Sequence, residues 1–324
     1  MNVRPFVYNS LMKPIKIQTK ELKVTLLDFG ARIAKVEFAD KNLVLTYDHF
    51  DEFITDPFYL GASVGPIANR ISGAKLAVEN QDYFLPKNEG INCLHSGDKS
   101  FSHQYWELAE QSESHAAFKL IYDLAQTGMH GTLTTTVYYR LLNNTLEVEY
   151  VNHCNVDCYI NTSNHAYFNL SCENHAIDDH EFTLHAQHYL EVDEHGIPTG
   201  RKIAIDDQMN FTLNTENAFS NFNQGIDHHF NVIENNDRDL KLMLQARSKT
   251  SGVSLTVNST SPGYQFYTAK NLTAPFAKSA AFCVETQYAP DAINQANLYA
   301  PLLKAGCERH QTTQFCFTET EALD

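Results

Sequence analysis

Residues 134–151 read TTTVYYRLLNNTLEVEYV and give the clearest indication of fold class. Two runs rich in β-branched and aromatic residues flank the dipeptide Asn143-Asn144. Asparagine tolerates the positive φ values that a tight turn requires, so the stretch predicts a β-hairpin. We place its strands at 134–141 and 146–151.

Similar short runs, separated by turn residues, continue on both sides of this hairpin. On the N-terminal side they lie at 24–30, 33–38 and 43–47, with a second small hairpin at 76–78 and 82–85. On the C-terminal side we predict strands at 181–184, 240–245, 253–258, 264–269, 281–286 and 314–318. No long amphipathic helical pattern and no internal repeat interrupts the series. The pattern predicts an all-β fold, either a sandwich or a barrel.

The chain has 324 residues, and no linker rich in proline, glycine or serine divides it. Large all-β domains often form one unit, so we expect a single domain over residues 1–324. With 39 acidic and 24 basic residues the formal charge is -15, which argues against nucleic acid and anionic membranes as partners. The seven cysteines form no paired knuckles, so a disulfide framework and a zinc site are not expected. No signal peptide or span of transmembrane length is evident, and a cytoplasmic location is expected.

A polar row surrounds a histidine in residues 161–170, NTSNHAYFNL. Read as an extended strand, one face carries only hydrogen-bonding groups, namely Asn161, Ser163, His165, Tyr167 and Asn169. A strand facing the core normally has one apolar face instead. The row therefore predicts the wall of a pocket for a hydroxyl-rich ligand.

Glu285 lies between apolar neighbours in a second predicted strand. Either it is exposed on an edge strand, or it is a general base in a semi-apolar pocket, where burial raises the pKa of a carboxyl group. His165 alone is equally consistent with a structural and a catalytic role. The sequence Asp227-His228-His229 resembles a metal site, but adjacent strand residues point to opposite faces and could not share one ion. No metal and no cofactor are expected.

Six motifs together resemble the aldose 1-epimerase (galactose mutarotase) family. In chain order they are 68–71 (ANRI), 94–97 (LHSG), 164–170 (NHAYFNL), 225–228 (GIDH), 262–267 (PGYQFY) and 284–287 (VETQ). They span nearly the whole chain and follow the family's order. The resemblance implies a large antiparallel β-sandwich, the galactose mutarotase-like supersandwich, with a sugar site across one sheet. The implied partner is a monosaccharide substrate, and the implied assembly is a monomer or a homodimer.

The resemblance also implies roles for individual residues. Glu285 matches the general base and His165 the general acid of a cofactor-independent isomerase that opens and recloses the ring of a free aldohexose. We expect the pKa values of both groups to be tuned towards neutrality. The residues implied in sugar binding are Asn69, Arg70, His95, Asp227, Tyr167 and Gln265.

The chain departs from the family pattern at three places: Pro66-Ile67 precedes the first motif, Ser96 replaces a glycine, and Tyr288 stands where a histidine is frequent. Three alternatives stay open at this level. They are an epimerase of hexose 6-phosphates, a non-catalytic sugar-binding domain on the same fold, and a glycoside hydrolase using Glu285 and Asp227 as paired carboxylates.

Overall fold

The computed structural model describes residues 12–205, 208–212, 225–233, 239–300 and 302–319. In this part of the chain 26 strands alternate with five short 3₁₀ helices. The strands are β1 (Pro14–Gln18), β2 (Leu22–Leu27), β3 (Arg32–Phe38), β4 (Lys41–Asn42), β5 (Ser63–Val64), β6 (Arg70–Ile71), β7 (Lys75–Val78), β8 (Gln81–Phe84), β9 (Cys93–Leu94), β10 (Glu107–Gln111), β11 (His115–Asp123), β12 (Thr132–Leu142), β13 (Thr145–Cys154), β14 (Cys158–Tyr159), β15 (Ser163–Asn164), β16 (His180–His185), β17 (His188–Val192), β18 (Pro198–Ala204), β19 (Gln208–Thr212), β20 (Asp227–Asn231), β21 (Lys241–Ser248), β22 (Val253–Ser259), β23 (Gly263–Tyr267), β24 (Cys283–Gln287), β25 (Leu302–Leu303) and β26 (Glu308–Glu319). The 3₁₀ helices are Phe50–Thr55, Ser72–Ala74, Phe101–His103, Leu124–Thr127 and Ala292–Asn294.

Three sheets carry the architecture. The largest has nine strands in the order β10-β11-β12-β13-β26-β22-β21-β16-β19, and the next has five in the order β18-β17-β20-β23-β24. A four-stranded sheet, β1-β2-β3-β4, is formed by the N-terminal meander. The pairings between these strands are antiparallel. The all-β, antiparallel prediction is confirmed.

The hairpin predicted around Asn143 is β12 and β13, and its strands are longer than predicted. Asn143 has a φ of 56°, as the tight turn requires. Alternate residues along β13 are buried, because one face of the sheet covers the core and the other is partly exposed. Hydrophobic alternation therefore fixed both the register and the inward face.

The core lies between the nine-stranded and five-stranded sheets. Phe182 of β16 packs edge-on against Phe266 of β23, with ring centroids 5.2 Å apart. Phe168 lies between Phe282 and Phe315, at 5.9 Å and 5.1 Å. These aromatic contacts hold the five-stranded sheet so that its other face is free to form a site.

Some predicted elements differ from the structure. Residues 43–47 form no strand beyond a single bridge of Val44, because the backbone of this segment turns to pair with residues 167–169. Among the strands of five residues or more, the sequence did not predict β1, β10, β11, β17, β18, β19 and β20. The residues of β10 are exposed throughout, so its sequence carries no alternating signal.

The interpretation of residues 161–170 as one long strand with a polar wall is wrong. Only β15 is regular strand, and both faces of the segment are buried. The side chains of Asn161, Ser163 and Asn169 hydrogen-bond backbone groups of neighbouring segments, so they cross-link the interior. Among the residues of this polar row, His165 belongs to the cluster of ionisable side chains described below.

No helix among the described residues is long and apolar enough to cross a membrane.

Candidate active site

Adjacent strands of the five-stranded sheet place three of the predicted residues side by side. Asp227 begins β20, Gln265 lies in β23 and Glu285 in β24. The register pairs Gln265 with Glu285, and Asp227 with Tyr267. Because paired residues project from the same face of an antiparallel sheet, these side chains share one face.

Loops from the N-terminal half of the chain supply the opposing groups. Asn69 and Arg70 enter β6, which pairs with β9, and His95 follows β9 directly. The backbone N–H of His95 donates to the carbonyl of Asn69, and the N–H of Asn69 donates to Nδ1 of His95, both at 3.1 Å. Asn69 therefore positions His95 through its backbone, while its side-chain oxygen accepts from the N–H of Arg70.

Four non-glycine residues around this cluster have left-handed backbone conformations: Tyr59, Asn69, His95 and Ser96, with φ between 47° and 66°. Such conformations cost about 1–3 kcal/mol each and collect at functional sites, where surrounding packing enforces them. Ser96 is held by two hydrogen bonds between its hydroxyl and the backbone of Ile67. The strained loop conformation is thus built into the fold.

His95, His165 and Glu285 form the centre of the site. Nε2 of His165 lies 3.6 Å from Oε1 of Glu285, and the two imidazole rings meet edge to face at 5.4 Å. All three residues are at most 5% exposed. The alternative that Glu285 is an exposed edge residue is therefore wrong, although β24 does lie at the edge of its sheet.

Burial raises the pKa of Glu285 well above its ordinary value, and the nearby carboxylate of Asp227 adds to this rise. The guanidinium of Arg70 acts in the opposite direction. Oε2 of Glu285 has no hydrogen-bond partner among the described residues. The raised pKa means that the carboxylate holds a proton more strongly than an exposed glutamate does, as a general base requires.

Burial lowers the pKa of His165 to about 4. The expectation that this pKa is tuned towards neutrality is therefore wrong: removal from water disfavours the imidazolium. Burial favours the uncharged form of both groups, a neutral imidazole beside a protonated carboxyl, and that pair holds one ionisable proton in total.

The neutral form of His95 is fixed in one tautomer. Burial lowers its pKa, and the neighbouring His165 and Arg70 lower it further. Because its Nδ1 accepts from the N–H of Asn69, the ring carries its hydrogen on Nε2. His95 therefore offers a hydrogen-bond donor.

The residue types of this central cluster are also those of a metal site, and one ligand atom from each residue lies within 4.8 Å of the others. A metal ligand must present a lone pair, however, and Nε2 of His95 carries the hydrogen. The arrangement fits a hydroxyl-bearing ligand better. His228 and His229 lie on opposite faces, since His228 pairs with Phe266 and His229 with Gln265.

Arg70 and Asp227 lie at the partly exposed side of the cluster. Arg70 makes two hydrogen bonds to Glu89, at 2.7 Å and 2.8 Å, and lies 3.8 Å from Asp227. Burial opposes the charge of Arg70, but the Glu89 and Asp227 carboxylates outweigh it and raise its pKa. Nε2 of Gln265 donates to Oδ1 of Asp227 at 2.7 Å. Asp227 is thereby oriented from two sides.

Three tyrosines enclose the imidazole of His165. Tyr167 stacks on it at 4.9 Å, and Tyr267 meets it edge to face at 6.4 Å. The ring of Tyr59 lies 6.2 Å from that of His165 and 4.7 Å from that of His95. The hydroxyl of Tyr167 already donates to the carbonyl of Phe58, so its observed contribution is the stacked ring.

Sequence reasoning missed Glu89, Tyr59, Cys283 and Gly196. A carboxylate in a loop gives no signal by itself, and Glu89 contacts Arg70 only after the chain folds. Gly196 has a φ of 74°, and a Cβ at its position would lie 3.0 Å from Nη1 of Arg70. The sequence indicates that Gly196 is a turn residue, but it does not show that Gly196 lies against Arg70.

Tyr288, one of the departures from the family pattern, lies outside this cluster. Its backbone is held by the side chain of Asn161, and its ring lines a cavity of about 210 Å³ with Tyr299 and Arg309. None of the residues lining that cavity belongs to the central cluster. The departure therefore leaves the cluster unchanged.

Comparisons with known proteins show which family the chain resembles. Residues 13–316 match the sequence model of a family described as aldose 1-epimerase. Galactose mutarotase from Bos taurus is 32% identical over 326 residues, covering 95% of this chain and 94% of the relative. Aldose 1-epimerase from Escherichia coli K12 is 29% identical over 317 residues, covering 91% of each chain. A crystal structure of an aldose epimerase homologue from C. elegans superposes with a TM-score of 0.89 at 25% identity, covering 96% of this chain and all of that one.

Proposed function

Because this chain belongs to the aldose 1-epimerase family, we propose that it interconverts the α and β anomers of free aldohexoses, with D-galactose as the first substrate. The observation that carries the proposal is the buried pair of His165 and Glu285, 3.6 Å apart. The sugar is inferred from the name of the mammalian relatives, galactose mutarotase. The activity is that of an isomerase.

Ring opening requires two proton transfers on one pyranose. Glu285 accepts the proton of the C1 hydroxyl, while Nε2 of His165 delivers a proton to the ring oxygen. The open aldehyde rotates about the C1–C2 bond. Reclosure with the two roles reversed gives the other anomer, and each group returns to its starting state.

The lowered pKa of His165 and the raised pKa of Glu285 are compatible with this scheme, because the pair binds the same number of protons in both of its forms. A neutral histidine with a protonated carboxyl and an imidazolium with a carboxylate differ only in the location of one proton. The second arrangement is the one that opens the ring. Arg70 stabilises it, because its charge favours ionised Glu285.

The remaining groups suit recognition of sugar hydroxyls. In this proposal Nε2–H of His95 and the guanidinium of Arg70 donate, and the carboxylate of Asp227 accepts. Gln265 orients Asp227, Asn69 orients His95, and Tyr167 supports the ring of His165.

A free sugar is favoured over a hexose 6-phosphate. Recognition of phosphate uses the planar fork of an arginine or a cluster of lysines. In Arg70 that fork is bound to Glu89 through Nε and Nη2. A phosphate would have to displace the carboxylate.

Polarimetry of freshly dissolved α-D-galactose and α-D-glucose tests the proposal, near neutral pH after treatment with EDTA. The protein is expected to speed the decay to the equilibrium rotation, with galactose the better substrate. No acceleration on either free sugar, together with acceleration on glucose 6-phosphate, would favour the phosphorylated substrate. Sugar binding without acceleration would indicate a non-catalytic domain.

A further inference from the structure

The sulfur of Cys283 lies beside the catalytic imidazole. Cys283 is two residues before Glu285 in β24, so both side chains project from the same face of the sheet. Its Sγ lies 3.6 Å from Nδ1 of His165, while Nε2 of the same ring lies 3.6 Å from Glu285. The ring thus lies between the thiol and the carboxyl group.

We propose that Cys283 is a positioning residue whose sulfur accepts a hydrogen bond from Nδ1–H of His165, so that Nε2 alone exchanges the proton of the ring oxygen. The inference rests on the proposed function, since it assigns the imidazole of His165 to that proton transfer. It adds a residue that the sequence motifs did not identify.

Proton accounting through the cycle requires that Nδ1 of His165 keep its hydrogen. The imidazolium of His165 gives its Nε2 proton to the ring oxygen when the O5–C1 bond breaks, and Glu285 takes the C1 hydroxyl proton. The ring of His165 is then neutral, with its hydrogen on Nδ1. On reclosure Nε2 must take a proton back from the same oxygen, which it can do only if its lone pair remains free. The hydrogen on Nδ1 therefore stays in place throughout.

The surroundings of the thiol are consistent with an acceptor role towards this ring. Cys283 and His165 are both buried, and burial raises the pKa of the thiol so that it stays protonated. A thiol sulfur is a weak acceptor, and a separation of 3.6 Å between nitrogen and sulfur is within hydrogen-bonding reach. A hydrogen bond between the ring and the backbone of His165 raises the pKa of the imidazole and opposes part of the effect of burial. Tyr167 stacks on the flat face of the ring and limits its tilt.

Substitution of Cys283 separates positioning from packing. C283A removes the acceptor, and we expect kcat to fall about threefold to tenfold with little change in KM, because a weak hydrogen bond is lost. C283S retains an acceptor and should recover part of kcat. The matched control is C154A, at a buried cysteine of β13 that pairs with Leu133 and whose thiol interacts with Cys158. It should keep wild-type kcat.

The tautomer of His165 gives a readout that packing alone would not move. In wild-type protein labelled with ¹⁵N-histidine, the ring nitrogen shifts near neutral pH should place the hydrogen on Nδ1, and C283A should shift the population towards Nε2. A wild-type ring with its hydrogen on Nε2 would overturn the inference. So would C283A with wild-type kcat and an unchanged tautomer. Absence of mutarotation by the wild-type protein would instead overturn the proposed function.

Discussion

At the scale of single residues, the site depends on burial more than on unusual side chains. His165 and Glu285 are ordinary residues whose charged forms are disfavoured because water is excluded. Because Nε2 of His165 and Oε1 of Glu285 are 3.6 Å apart, a single proton can be bound by either group. This pairing, rather than either residue alone, supports catalysis by proton transfer.

Substitution of the base tests this directly. Glu285→Gln keeps the shape and removes the ability to accept the C1 hydroxyl proton. We expect kcat to fall by about 10²- to 10⁴-fold, with sugar affinity largely retained. Polarimetry measures the rate, and isothermal titration measures binding.

The control for this variant is Glu110→Gln, at an exposed carboxyl on the distant edge strand β10. It should behave as wild type. Turnover of Glu285→Gln close to the wild-type rate would show that the base lies elsewhere.

The pH dependence follows from the same pair. Below about pH 4 His165 becomes protonated while Glu285 is also protonated, so no base remains and kcat/KM should fall. On the alkaline side activity should fall as the pair loses its single proton, at a pH well above the usual range of a glutamate. Rates measured from pH 3.5 to 10, with folding monitored by circular dichroism, test this. An acid limb centred near pH 6.5, the ordinary imidazole value, would contradict it.

At the scale of elements, strands and turns contribute to the site in different ways. Strands β20, β23 and β24 set the spacing of Asp227, Gln265 and Glu285 through their register. The β17–β18 turn contributes differently, because Gly196 lies directly against the guanidinium of Arg70. A turn with no catalytic side chain therefore shapes the binding site.

Gly196→Ala tests the turn. The new Cβ would lie 3.0 Å from Nη1 and 3.1 Å from Cζ of Arg70, so the guanidinium must move. Because Arg70 is proposed to bind sugar hydroxyls, we expect KM to rise about threefold to tenfold, with a smaller effect on kcat. Steady-state polarimetry at several galactose concentrations separates the two constants.

Gly306→Ala is its matched control. Gly306 has the same φ of 74°, but nothing lies within 4 Å of a Cβ at its position. The two variants should lose similar stability from the strained backbone, about 1 kcal/mol, and differ in KM alone. Equal KM values in both would show that Gly196 does not position Arg70.

At the scale of the whole molecule, buried histidines make stability depend on pH. Burial lowers the pKa of five histidines below the ordinary value of 6.5, namely His95, His103, His165, His228 and His229. Below about pH 6.5 the unfolded chain therefore binds protons that the native state does not, and stability falls. Asp28, Glu285 and Asp291 contribute with the opposite sign, because burial raises their pKa values in the native state. Five histidines outnumber three carboxyl groups, so the expected net change is a loss of stability.

We expect the midpoint of urea unfolding to decrease steadily from pH 7.5 to pH 4.5. His229→Leu should reduce this decrease, because both ring nitrogens of His229 are buried and have no hydrogen-bond partner among the described residues. A midpoint that does not vary with pH would contradict the prediction.

The sequence by itself determined the fold class, the main hairpin and the family. Strand patterns and the Asn143 turn depend on local side-chain periodicity and backbone preference, which are written in consecutive residues. The motifs around Asn69, His95, His165 and Glu285 are likewise short and contiguous, so they could be read directly.

Only the tertiary structure decided which of those residues meet and in which protonation state. The polar row at 161–170 was misread because its hydrogen-bond partners lie more than 100 residues away in Ala280, Thr286 and Tyr288. The pKa of His165 likewise depends on burial by distant segments. Desolvation and contact between remote residues arise only when the chain is packed, and no local pattern encodes them.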